Sequence, residues 1–188
     1  MIYVAFLRGI NIGGRNQINM KELKESFESI GMVNVITYIH SGNIIFEDSV
    51  HTETEIVLLL EEEILESFSF EIKVLIRSLN QFQHVMNTLP ENWVNDKTMK
   101  SDILFLWHDI EDETVLKQFI IRPEVDTVLY VSGAILWSVS RENASKSGLN
   151  RFVSKKIYKK MTQRNVNTVR KIFSIMKELE QNDEKTIE

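Results

Sequence analysis

Four short apolar runs, at residues 2–7, 33–39, 44–46 and 72–76, are separated by two amphipathic stretches in the order strand, helix, strand, strand, helix, strand. This order narrows the fold more than any other feature. It is the split βαβ or ferredoxin-like pattern, in which two helices cover one face of an antiparallel sheet. The first helix opens at Asn19 with Glu22 at capping-box spacing, carries Leu23, Phe27 and Ile30 on one stripe, and stops at Gly31, where a left-handed residue belongs. Thr52 and Glu55 open the second. Its stripe is Ile56, Leu59, Leu60, Ile64 and Leu65, with Glu61 to Glu63 largely on the other side. Between the middle strands, HSGN predicts a tight hairpin.

Beyond Ser78, whose spacing to Gln81 again suggests a capping box, a short helix should end before Leu89-Pro90, and ENWVNDKTMKSD reads as an irregular connection. The second half resumes with a strand at 103–107, a helix near 111–119, and two strands at 127–131 and 134–139 joined at Ser132-Gly133. Two basic amphipathic helices should close the chain. Leu149, Phe152, Val153 and Ile157 form the stripe of one, and Val169, Ile172, Phe173, Met176 and Leu179 that of the other. The expectation is an α+β protein of two ferredoxin-like halves with antiparallel sheets plus extra C-terminal helices. Residues 1–89 form the first half, 90–101 the connection, 102–180 the second half, and 181–188 a frayed tail.

At 188 residues and 43% hydrophobic, the chain can bury a substantial core. It has no cysteine, which excludes disulfides, thiol nucleophiles and cysteine-held metal centres and suits a reducing compartment. The opening MIYVAFLRG is too short and lacks the basic flank of a secretory signal, and no stretch reaches membrane-spanning length, so a cytoplasmic protein with no membrane partner is expected. Charge is unevenly distributed. Residues 1–140 hold 10 basic and 21 acidic groups, whereas 141–177 hold 11 basic and one acidic. Such a segment can attract polyanions, dock on an acidic surface, or form the solvated face of helices.

Most catalytic patterns fail. From Gly9 to Asn16 the chain spells G-x-x-x-x-G-R-N, where a P-loop needs lysine and a hydroxyl residue at the last two positions. Gly9, Gly13 and Gly14 do not fit a dinucleotide fingerprint. Ser41 lacks the preceding glycine of a nucleophile elbow, and the four histidines show no metal-ligand spacing, so no metal and no cofactor are expected. What remains is a group of donors at turns: Arg8, Gly9, Asn11, Gly13, Gly14 and Arg15 in the first loop, Ser41 and Asn43 in the hairpin, and Arg164 and Asn165 within QRNVNT. Asn165 or Asn167 can cap the last helix, whose free N–H groups beside Arg164 would favour an anion.

The stretches LRGINIGG, INMKEL, VITYIHSGNIIF and RNVNTV resemble the family known as domain of unknown function 1697 in order and spacing. The resemblance implies a bacterial-type single-chain α+β protein with duplicated ferredoxin-like halves. It implies no established activity and supplies no catalytic residues. The family pattern often has tryptophan where Val166 stands, which weakens base stacking there, and glutamine where His40 stands. The expected function is binding of a small anionic ligand, phosphate- or carboxylate-bearing, or a nucleotide, at a site built from the first loop, the hairpin turn and the last helix start. Nucleic-acid binding through the basic C-terminal helices and a non-catalytic scaffold role are the alternatives. The sequence assigns no reaction and no oligomeric state.

Overall fold

The computed structural model describes residues 1–11, 16–152 and 156–187, with side chains to residue 182. The chain divides into two units, Met1–Leu79 with Ile172–Glu188, and Asn80–Lys171. The division falls at the first residue of the helix, Leu79–Thr88, that sequence reasoning placed in the first half. It falls again within the last helix.

In the first unit, β1 (Ile2–Leu7) is central, pairing antiparallel with β3 (Asn43–Glu47) on one side and β4 (Val74–Ser78) on the other, while β2 (Val33–Tyr38) pairs with β3. The order β2-β3-β1-β4 is the ferredoxin-like one. Alternation on β1 sends Tyr3, Ala5 and Leu7 into a core with Leu23 and Phe27 of α1 (Met20–Ser29) and with Ile56, Leu60 and Ile64 of α2 (Glu53–Phe68). Phe46 ties this layer together, stacked on Tyr3 at 5.8 Å and edge-on to Phe27 at 5.7 Å. The helix ends follow the sequence. Asn19 accepts from Lys21 N, and Thr52 and Glu55 form a reciprocal capping box. Gly31, at φ +94°, closes α1 while Met32 N reaches back to Phe27 O.

The second unit repeats the plan. Its sheet runs β6-β7-β5-β8, from β5 (Met99–Leu106), β6 (Asp126–Val131), β7 (Ala134–Ser140) and β8 (Met161–Asn165), antiparallel throughout. Leu104, Leu106, Ile135, Trp137 and Met161 form the sheet side of one core, packed with Val115, Phe119, Leu149 and Phe152. On the other face Phe105 stacks on Phe82 of α3 (Leu79–Thr88) at 5.5 Å.

Four segments differ from expectation. Residues 111–119 form no α-helix but short 3-10 turns, His108–Ile110 and Glu113–Gln118. Only Val115 and Phe119 anchor that segment deeply, and Arg122-Pro123 bars its extension. The helix expected over 149–157 is one turn, α4 (Leu149–Phe152), followed by a 3-10 turn at Lys156–Lys160; Val153 lies outside the described residues. The helix start read in QRNVNT is present, with α5 (Val166–Ile187) beginning at Val166 and Asn165 at its cap, but the residues before it form a strand the sequence did not signal, β8. Strand β8 escapes a periodicity search because Met161 is its single aliphatic residue facing the Leu104–Leu106 core. The tail read as frayed continues α5 to Ile187.

Candidate functional site

The β1–α1 connection is built around two asparagines. Asn11 sits at φ 52°, and its side chain receives a hydrogen bond from Ile18 N (2.9 Å) while its Nδ2 donates to Ile18 O (3.2 Å) and His40 O (3.0 Å). Asn16, at φ 47°, donates from Nδ2 to Gly9 O (3.1 Å), and Asn11 N donates to Asn16 O (3.1 Å). Ile10 and Ile18 are buried in the first core, so both ends of the loop are anchored by packing as well. The base of the loop is a closed ring of hydrogen bonds.

The hairpin is joined to that ring. Leu7 N donates to Gly42 O at 2.9 Å, and Asn11 holds the carbonyl of His40. Gly42, at φ +69°, has no room for a side chain, since a Cβ would lie 2.8 Å from Leu7 Cβ and 2.9 Å from Ile10 Cδ1. Asn43 is fully buried, and its Nδ2 donates to Tyr38 O (3.0 Å) and Ser41 Oγ (2.9 Å). Between them Ile39 adopts φ 50°, a conformation a β-branched residue rarely takes, and leaves its side chain 47% exposed. Gly9, Asn11, Asn16, Ile39 and Gly42 are five of the nine positive-φ positions among the described residues.

This geometry revises the roles read from sequence. The amide donors of Asn11 and Asn43 do not face a ligand; their hydrogens go to protein acceptors and hold the loop and hairpin in place. Arg8 and Gly9 are half-buried at the end of β1, with Arg8 N donating to Lys73 O. Ser41 is exposed beside Asn43. Gly13, Gly14 and Arg15 lie outside the described residues.

Arg164 and Asn165 belong to the second unit. Arg164 is a strand residue opposite Ile103, 9% exposed, with Nη1 donating to Thr162 Oγ1 (2.8 Å) and Gln163 O (2.9 Å). Burial pushes its guanidinium down to about 10, against a smaller upward pull from Tyr158. Asn165 caps α5 by accepting from Thr168 N at 3.0 Å, whereas Asn167 brackets Asn95, accepting from its N–H and donating to its carbonyl.

The basic segment is largely engaged with its own unit. Arg170 donates to the carbonyls of Trp93 (2.5 Å), Pro90 (2.9 Å) and Glu91 (3.0 Å), and Arg141 to Asp96 O (2.7 Å) and Asn95 Oδ1 (2.9 Å). Lys160 pairs with Asp109. The irregular connection is thus held by cations whose role no local pattern signals. The same is true of Asp126, a buried carboxylate that accepts from Trp137 Nε1 (3.0 Å), Ser147 Oγ (2.5 Å), Gly148 N (3.0 Å) and Arg122 N (3.1 Å). Burial alone would raise its pKa; the hydrogen bonds outweigh it and hold the group below the usual carboxylate range.

A shallow groove of about 300 Å³ in the first unit is lined by Lys24, Glu28, Asn34, Val35, Ile36 and Leu179 and includes none of the candidate residues. Among the described residues no three His, Asp or Glu side chains are grouped to hold a metal, and no helix is long and apolar enough to cross a membrane.

The family model described as "Protein of unknown function (DUF1697)" matches residues 1–137, which include the stapled loop, the hairpin and the first sheet. The chain belongs to the DUF1697 family. The RNVNTV stretch lies beyond the matched residues, so the family assignment rests on the N-terminal part of the first unit, with its whole sheet, and on most of the second sheet. The solved structure of conserved bacterial protein SP0830 from Streptococcus pneumoniae is similar to this DUF1697 chain. The TM-score is 0.80 and the identity 27%, over 93% of this chain and 98% of that one. Comparison with curated proteins yields no match.

Proposed function

We propose that the chain binds a small anionic ligand, phosphate- or carboxylate-bearing, at the glycine-arginine loop of the first unit. The observation that carries this reading is the construction of the loop base. Asn11 and Asn16 fix it through five hydrogen bonds, alongside a strained and exposed Ile39. Backbone held in sparsely populated conformations concentrates at binding and switching sites, because the surrounding structure must over-determine it. The sequence between these two asparagines contains Gly13, Gly14 and Arg15, and Arg8 stands at the root of the held base. Backbone N–H groups and guanidinium are complementary to an oxyanion. The absence of cysteine agrees with a cytoplasmic, reducing location.

The test is a thermal-shift titration with inorganic phosphate, a sugar phosphate, a mononucleotide and a dicarboxylate, on the wild type and on Arg8→Ala, Arg15→Ala and Arg164→Ala. A ligand at 100 times its dissociation constant adds about 2.7 kcal/mol, a rise of roughly 5–10 °C for a protein of this size. Arg15→Ala is expected to remove the rise while leaving the ligand-free melting temperature unchanged. Arg164→Ala is expected to lower the ligand-free value instead, because that side chain is buried and hydrogen-bonded. No rise with any of the four ligands at millimolar concentration would refute the proposal.

A further inference from the structure

The two sheets have four edges, and three of them are protected. Strand β2 is broken in register between Val33 and Ile36 and carries Asn34 at φ 51°, so it does not offer a straight ladder. Strand β4 is buried along its whole length. Strand β8 is mostly buried and carries Arg164. Strand β6 has none of these devices. Its pairing with β7 runs without interruption from Asp126 opposite Val139 to Val131 opposite Ala134; Thr127 is exposed, and Val128 to Val131 are half-buried, none of them closed off from solvent. From Thr127 to Val131 it contains no charge, no proline and no glycine. Natural edges of that kind pair with another strand unless something prevents it.

We propose that β6 is a self-association edge, and that a second copy of this chain adds its own β6 antiparallel to form a continuous eight-stranded sheet. The strand suits its own copy. A two-fold axis at Leu129 sets Thr127 opposite Val131, Val128 opposite Tyr130 and Asp126 opposite Ser132, so no like charges meet. A charged partner strand would find no complementary group along it. Val128 and Tyr130 already face their own core, which leaves Thr127, Leu129 and Val131 for cross-strand contact on the other face. One six-residue edge makes a small interface, so the dimer is a weak one, and with no charge in the contact it is insensitive to salt.

The absence of native cysteine permits a direct experiment on the full chain. Leu129→Cys places a thiol on the axis, within the separation of directly opposed antiparallel residues, about 4.5–5.5 Å between Cβ atoms. Val50→Cys, at a position 81% exposed in the first unit, is the control. Under mild oxidation at high micromolar concentration, Leu129→Cys is expected to form the disulfide dimer at least tenfold faster than Val50→Cys. Sedimentation of the unmodified chain should show a concentration-dependent dimer that Thr127→Lys, a change at an exposed side chain, abolishes without altering the circular dichroism. Equal cross-linking of the two cysteine variants, a chain that stays monomeric at several hundred micromolar, or a dimer that survives Thr127→Lys would each overturn the proposal.

Discussion

Asn11 tests whether the opening loop is stapled from within. Replacing it with alanine removes three hydrogen bonds, those with Ile18 N, Ile18 O and His40 O, and forces alanine into φ 52°. Net hydrogen bonds of this kind contribute about 1 kcal/mol each, and the contact with His40 O, being exposed, counts for less. The left-handed conformation adds roughly 1 kcal/mol for a residue with a Cβ and no local side-chain hydrogen bond. The expected loss is therefore about 3 kcal/mol for Asn11→Ala and about 2 kcal/mol for Asn11→Gly, which tolerates the backbone angle but not the loss of the side chain. Urea unfolding measures both. With a slope of about 2–3 kcal/mol per molar, Asn11→Ala should lower the midpoint by roughly 1–1.5 M at unchanged slope. If both variants fall within about 0.3 M of the wild type, the loop is not held by its asparagine and the argument for a preorganised site fails. If Ala and Gly are equal, the positive φ is not a constraint.

Two buried carboxylates should respond oppositely to neutralisation. Asp126 has a depressed folded pKa, so its contribution is present above the unfolded value of about 3.9 and is lost as pH falls through the folded value. Asp126→Asn should cost about 3 kcal/mol at pH 7 and flatten the acid limb of the stability profile, read by denaturation from pH 7 to 3. Asp102 is raised by burial, which outweighs its hydrogen bond with Gln163 and the charges of Lys100 and Arg141. Its wild-type effect is a stability that declines as pH climbs from about 4 to the folded pKa. Asp102→Asn should then be as stable as the wild type or more so at pH 7, and a clear loss there would contradict the assignment. Gly148→Ala would place a Cβ 1.5 Å from Ile120 O and 2.8 Å from Ile120 C, so backbone must move. The expected loss equals or exceeds the roughly 1–3 kcal/mol of ordinary overpacking, and a melting temperature within 1–2 °C of wild type would refute it.

Most of the first unit could be read from sequence because its signals are local. The caps at Asn19 and Thr52, the break at Gly31 and the alternation on β1 each lie within a few residues of their effect. In the second unit the decisive contacts are distant in sequence. Asp126 reaches Ser147 and Gly148, Arg170 reaches Pro90, and Met161 has the right neighbours only because β8 lies beside β5. The candidate residues were found by type, as donors clustered at turns, but type does not reveal direction. Asn11 and Asn43 look the same in sequence whether their amides face a ligand or a carbonyl. Ile39 gave no signal at all, since its strain exists only in the folded hairpin.

The first unit is discontinuous in sequence. Its sheet is complete in sequence at Ser78, yet it also includes the chain from Ile172 onward, where Ile172 and Met176 are fully buried and Leu179 lines the groove beside α1 and β2. During synthesis, residues 80–171 must emerge between those two parts. At about 5–20 residues per second, that interval is roughly 5–20 s. For that time the half that emerges first lacks its last element, while the half made later already has all of its own strands. The nascent chain therefore completes its second unit before its first, and a truncation that removes only the last helix beyond residue 171 should damage the N-terminal half of the molecule rather than the half to which that helix is joined.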